Sequence, residues 1–235
     1  MTYEEIMKEL ERLGNEQTKM TFIRHGAMEP LFGVKIGDLK KLVKYVKKDE
    51  ELALKLFASS NSDAMYLAGL SVNPKTIAKE TLQQWVKQAY WYMAAEYTVA
   101  GVAAESPFAH ELAVEWIDSS EEMVSTCGWS TYANYISITP DEQLNFDEIR
   151  FLLNRIKETI HTEKNRVRYT MNTFVMIVGI YVSELREEAE AVAAFIGKVH
   201  VDVGNTACKV PLASDYIQKT VSLGKAGVKK KTCIC

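Results

Sequence analysis

Five prolines, at positions 30, 74, 107, 140 and 211, divide the chain into segments whose apolar residues recur at helical spacing. Their intervals are 44, 33, 33 and 71 residues. Stacked helix pairs repeat every 33–47 residues or so, and these breakers read as unit boundaries with one mark missing. The units share little sequence, which predicts an irregular α-solenoid in place of a regular array. Strand-like alternation is confined to residues 198–203, just before Gly204, and no Gly/Ser linker interrupts the 235 residues. The expected architecture is a single all-α helical-repeat domain over 1–235, with 198–235 as a C-terminal cap and tail.

Capping signals place individual helices. Thr2 with Glu5 forms a capping box ahead of Ile6, Leu10 and Leu13, and Gly14 suits the stop. Asp38 opens a segment with Leu39, Leu42, Val43 and Val46 on one face and lysines on the other. Ser106 and Pro107 precede Leu112, Val114 and Trp116 as a cap and a first-turn proline. Asn145 with Glu148 precedes Ile149, Leu152, Leu153 and Ile156; Asn165 begins a long apolar segment reaching Val182, and residues 184–195 form a further helix. The longest apolar run, Phe174 to Val182, has nine residues, too few to cross a bilayer. The acidic start at Glu4 and Glu5 lacks the basic and apolar regions of a signal peptide. Cys127, Cys208, Cys233 and Cys235 suggest neither a disulfide framework nor, with no His cluster nearby, a zinc site. A cytoplasmic protein with no metal and no membrane association is expected.

The net charge of −3 conceals a division. Residues 88–149 hold eleven acids and no Lys or Arg, so all 28 basic residues face the other 31 − 11 = 20 acids elsewhere. Basic clusters lie at 35–48, 150–168 and 225–231. A polyanion responds to the local patch and not to the sum, which makes these clusters candidate phosphate contacts. Lysine runs also simply solvate helix faces.

All four tryptophans, Trp85, Trp91, Trp116 and Trp129, fall in residues 85–135 with five tyrosines. Most such side chains fill helix–helix cores. The consecutive Tyr90, Trp91 and Tyr92 would point three ways around a helix, leaving at least one for a surface or groove. Glu96 lies four residues after Tyr92 on the same helical face, in surroundings where a carboxylate needs a partner or a function. Arg168 and Asn172 share a face near a helix N-terminus and, with Arg166, suit a phosphate; a salt bridge to the acidic middle is the alternative. Residues 204–211 could shape an anion-binding loop through backbone amides and Lys209, or merely pack the C-terminal cap.

The run from Thr18 to Gly26, then Leu31-Phe32-Gly33-Val34-Lys35 and Leu39-Lys40-Lys41-Leu42, resembles the N-terminal pattern of the DNA alkylation repair family. The stretches from Tyr90 to Glu96, Arg166 to Asn172 and Gly204 to Pro211 extend the likeness over nearly the whole chain. The resemblance implies a HEAT-like superhelix whose concave face holds duplex DNA, alkylated or distorted. That family includes glycosylases excising 3- and 7-alkylated purines and members without the activity. In the glycosylases an aromatic residue and an Asp one turn later lie against the damaged nucleotide; Tyr92 and Glu96 match that pair. A later helix of those enzymes carries a second Trp, where this chain has Phe174 and Ile177, and the Arg expected from the middle has no counterpart in 88–149.

Three readings follow. As a glycosylase, the chain would use Glu96 to stabilise an oxocarbenium-like sugar and Tyr92 to support it. Trp91 and Trp129 would complete an aromatic cleft for the cationic base, with no metal or organic cofactor required. As a non-catalytic binder of distorted or branched DNA, it would rely on Arg166, Arg168, Asn172, Lys35 with the lysines after it, and Lys209. As a repeat scaffold, it would offer the acidic 88–149 region to a protein partner.

Overall fold

Thr2 and Glu5 close the box their spacing requires. The Thr2 hydroxyl accepts the Glu5 N–H at 3.2 Å and the Glu5 carboxylate accepts the Thr2 N–H at 2.8 Å. They start α1 (Tyr3–Leu13) in a computed structural model that describes residues 1–234; Cys235 lies outside the described residues. Asn15, Asp49, Asn61 and Asn145 cap α2 (Glu16–Arg24), α4 (Glu50–Ala58), α5 (Ser62–Ser71) and α10 (Phe146–Thr159) by accepting first-turn N–H groups with their side chains. The remaining helices are α3 (Ile36–Val46), α6 (Lys79–Gln88), a π-helical segment (Met93–Val99) running into α7 (Ala100–Glu105), α8 (Ala109–Ile117), α9 (Glu122–Ile138), α11 (Asn165–Tyr181), α12 (Arg186–Ile196) and α13 (Ala213–Ser222). None is long and apolar enough to cross a membrane.

The helices stack in two layers. Along the inner layer run α5, the π-helix with α7, α9, α11 and α13; α4, α6, α8, α10 and α12 back them on the outside. This is the HEAT-like superhelix. Buried side chains form two large apolar clusters, one around Leu56, Phe57 and Leu82 and one around Ile149, Phe174 and Leu185, with a small third of Ala27, Leu31 and Trp91. The two large clusters meet at α8 and α9, where Trp116 serves the first cluster and Ile117 and Trp129 the second, so the stack continues without a break. Gly128 permits the close approach of these two helices, because a Cβ there would sit 2.4 Å from the Ile117 nitrogen.

The outer layer accounts for the acidic middle. Lys79 on α6 pairs with Glu111 on α8 (2.7 Å), and Gln83 hydrogen-bonds Glu115 (2.8 Å). His110 on α8 meets Glu148 on α10 at 2.7 Å, Arg155 on α10 meets Asp118 at 2.5 Å, and Arg150 reaches Glu188 on α12 at 3.0 Å. Partners in this ladder are 32 to 38 residues apart, close to the proline interval of 33. Four of the eleven acids in 88–149, Glu111, Glu115, Asp118 and Glu148, are thus spent joining one repeat to the next on the outer layer. These four are held between repeats and form no free patch.

Two local expectations also change. No described residue is in a strand. Residues 199–203 have no second strand to pair with; instead the Asn165 amide holds the Asp202 backbone by donating to its carbonyl (2.8 Å) and accepting its N–H (2.7 Å). Tyr90, Trp91 and Tyr92 do not share a helix either, because α6 ends at Gln88 and the next helix resumes only at Tyr92.

Candidate functional site

The break after α6 sorts the three aromatics. Tyr90 hydrogen-bonds Ser62 and donates to the Met28 carbonyl at 3.0 Å. The Trp91 indole N–H donates to the His25 carbonyl at 2.7 Å, and its ring packs 5.6 Å from Phe22. Both therefore fasten the end of α2 to the inner layer. Tyr92 is left facing a cavity of about 490 Å³, bounded by Arg24 and His25, by Tyr97 and Tyr169, by the first turns of α9 and α11, and by the loop carrying Gly204, Cys208 and Lys209.

Arg166, which lines this cavity, forms a bidentate pair with Glu96 behind it, with Nη2 to Oε2 at 2.8 Å and Nε on the other oxygen. Only 6% of the Glu96 side chain and 13% of the Arg166 side chain are exposed. The guanidinium lies between two rings, 4.1 Å from the Tyr92 centroid and 4.0 Å from that of Tyr169. Local sequence builds this cage: Tyr92 and Glu96 are one turn apart, and Arg166 and Tyr169 share a face of α11. Burial pushes the Glu96 carboxyl up, and the two Arg166 hydrogen bonds and its charge oppose that shift. Burial works against the Arg166 cation too, but the carboxylate more than offsets it and its pKa lies above the ordinary value. Burial likewise raises the Tyr92 and Tyr169 phenols, which stay neutral rings around a cation. The first turn of α11 has its own anion, since the Glu122 carboxylate accepts the Arg166 backbone N–H at 2.6 Å.

Tyr97 and Tyr169 also line a second cavity of about 470 Å³ that continues along the inner layer over Ser130, Asn134, Thr173 and Ile177 to Lys230 and Cys233. Together the two make one groove, running from the N-terminal to the C-terminal ends of the inner helices. Tyr97, half exposed at 51%, stands at their junction.

The residues singled out from sequence separate into groups. Tyr92, Trp91, Arg166 and Lys209 line the first cavity, but Trp91 is buried and committed to His25, and Arg166 is committed to Glu96. Arg166 is thus no open phosphate contact: the salt bridge to the acidic middle is the arrangement realised. Trp129 is fully buried, edge-on to Phe174 at 5.2 Å, so the aromatic cleft expected of it is corrected to a core position. Asn172 is also buried and donates to the Pro211 carbonyl at 3.0 Å, which places it beneath the 204–211 loop and out of reach of a phosphate. Arg168, one turn earlier, is half-buried and 3.5 Å from the Asn165 oxygen that holds Asp202. Lys35 is exposed at the start of α3 and lines neither cavity. Among the described residues no three His, Cys, Asp or Glu side chains cluster as metal ligands.

Tyr169 and Tyr97 escaped the sequence reading. Tyr169 was legible as the residue three after Arg166 on one helix face, while Tyr97 looked like any tyrosine in an apolar helix. Arg24 lines the cavity beside Gly204, which packs on its carbonyl where a Cβ would come within 2.6 Å. No local pattern links residues 180 positions apart.

The pattern of the DNA alkylation repair enzyme family matches residues 6–217. Uncharacterised proteins of Listeria monocytogenes and Listeria innocua are 39% and 38% identical over 224 residues, covering 93% of this chain and 97% of each relative. A solved structure superposes with a TM-score of 0.92 at 37% identity over 100% of both chains; it is described as a new family of proteins related to the HEAT-like repeat DNA glycosylases with affinity for branched DNA structures.

Proposed function

Since the chain belongs to the DNA alkylation repair enzyme family, we propose that it binds duplex DNA in its inner groove, prefers branched or distorted structures, and does not excise alkylated bases. The observation that carries this reading is the occupied cage at Glu96. A glycosylase of this plan needs a carboxylate free to stabilise the cationic sugar and an aromatic face free to hold the cationic base. Here the Arg166 guanidinium takes both positions: it satisfies both Glu96 oxygens and covers the facing sides of Tyr92 and Tyr169. The arginine stands where an N-alkylated purine would bring its positive charge. Opening the cage would strand a buried carboxylate, which is unfavourable by several kcal/mol.

DNA binding is supported by exposed Arg24 and Lys209, which line the first cavity and form no ion pair among the described residues, and by the placement of the repeat-joining acids on the opposite layer. Exposed Tyr97 offers a ring to bases left unstacked at a branch point, where such stacking contributes roughly 1–3 kcal/mol per base. The preference for branched structures rests on the related solved structure, described as having that affinity. The test is single-turnover base release from N-methylated duplex at protein concentrations that saturate binding. Release no faster than from free DNA is expected, and release above that rate that is lost in Glu96→Gln would overturn the non-catalytic reading.

A further inference from the structure

We propose that the C-terminal strap, residues 225–234, forms a second phosphate-binding rim of the groove, with Lys230 and Lys231 as its contacts to the DNA backbone. The inference rests on the DNA-binding reading above and adds a site to it. The strap crosses the C-terminal ends of the three central inner helices in turn. The Gly227 N–H donates to the Ile180 carbonyl of α11 at 2.7 Å, and the Lys230 N–H to the Ser137 carbonyl of α9 at 2.8 Å. At α7 the Glu105 carboxylate accepts the Cys233 N–H at 2.6 Å. Three anchors on three helices hold ten residues of irregular chain in one path.

That path sets the lysines apart. Lys229 turns inward, donating to the Ile136 carbonyl at 2.9 Å and pairing with Asp141 at 2.7 Å, where it offsets the negative end of α9. Lys230 and Lys231 remain exposed, and the Lys230 ammonium stands 5.5 Å over the Tyr181 ring at the end of α11. Lys230 lines the second cavity, whose one acidic lining residue, Glu96, is already neutralised by Arg166. The groove floor carries Ser130, Asn134 and Thr173 and no other charge. At the opposite end Arg24 and Lys209 line the first cavity with two acids held by backbone N–H groups, Glu122 by that of Arg166 and Asp202 by that of Gly204. α11 spans the distance between the two rims with 17 residues, roughly 25 Å. A basic residue at each end and, in the second cavity, a floor of hydroxyl, amide and apolar groups with no unpaired charge match a polyanion whose charges run along both edges and whose centre is uncharged base edges.

The experiment compares the full chain with Lys230→Gln/Lys231→Gln and Lys230→Arg/Lys231→Arg in anisotropy titrations of a labelled duplex and a three-way junction between about 50 and 200 mM salt. The Gln variant is expected to lower the log K against log salt slope by up to about two units on both ligands, and the Arg variant to keep the wild-type slope. Lys231→Gln alone, at an exposed position, should lower it by about one unit. Wild-type binding with an unchanged slope in the Gln variant overturns the rim and leaves the DNA-binding reading standing. An equal slope loss in the Arg variant also overturns it, since charge would not be the cause. No salt-dependent DNA binding by the wild-type chain overturns the proposed function and the rim with it.

Discussion

Replacing Arg166 by methionine removes the guanidinium from the Glu96 cage while keeping an unbranched side chain between the two tyrosine rings. Glu96 is then left with 6% of its side chain exposed and no cation. Breaking such a pair typically destabilises by about 3–5 kcal/mol. The carboxyl has an escape, because it can take up a proton. At pH 7 protonation from an ordinary Glu pKa of about 4.3 requires about 1.36 × 2.7, or roughly 3.7 kcal/mol, which caps the penalty; at pH 5 the cap falls to roughly 1 kcal/mol. The sign follows from burial, which raises the Glu96 pKa once Arg166 no longer opposes it. A folded-state pKa above the unfolded value means stability is retained below the unfolded pKa and lost as pH rises through the folded one. The difference between wild type and Arg166→Met in urea or thermal unfolding should therefore grow from about 1 kcal/mol at pH 5 to nearly 4 at pH 7, the latter corresponding to about 8–16 °C in Tm. Adding Glu96→Gln to the same chain should abolish the pH dependence of that difference. A gap under about 1 kcal/mol that does not change between pH 5 and 7 would refute the reasoning, because it would mean that Glu96 is hydrated and the cage is open.

Two further outcomes are expected. Asp63 accepts three backbone N–H groups from the Phe32–Gly33–Val34 turn, at 2.6, 3.0 and 2.8 Å, so Asp63→Asn sets an amide N–H against at least one of them and should lower stability by roughly 3 kcal/mol in thermal melting; a loss below about 1 would show that the turn is held by other contacts. Arg24→Gln/Lys209→Gln should flatten the salt dependence of duplex binding by up to about two units with little change in Tm, and an unchanged slope would remove that end of the groove from the DNA contact.

The fold was legible where a signal is local. Thr2 and Asn145 start helices by side-chain bonds reaching three residues along the chain, whereas Asp38 falls in the first turn of α3 after Lys35 and α8 begins at Ala109, beyond Ser106 and Pro107. The 33-residue interval between Pro74, Pro107 and Pro140 reappears in the spacing of the ion pairs joining α6, α8 and α10. The turn at Phe32–Val34 is specific because Gly33 has φ +77° and a Cβ there would come within 2.4 Å of the Lys19 nitrogen. The site was legible only in halves. Tyr92 with Glu96, and Arg166 with its neighbours, each stood out within one segment, but their pairing across 70 residues turns a candidate acid and a candidate phosphate contact into one closed cage. Trp129 and Asn172 misled for a related reason. Tryptophan and asparagine serve a core or a groove equally well on a helix, and only the neighbouring repeat, through Phe174 and Pro211, decides which. The acids of 88–149 read as a patch because their lysine and arginine partners lie outside that stretch, on the flanking repeats.

One competition titration tests DNA-structure preference most directly. A labelled three-way DNA junction is bound by the full chain at about 100 mM salt and displaced with unlabelled linear duplex of the same length and base composition. A groove with positive ends and an exposed tyrosine at its middle gains stacking on unpaired bases only from the junction, so the linear competitor should be at least about tenfold less effective. Equal displacement by the two DNAs, or no measurable binding of the junction, would contradict the account.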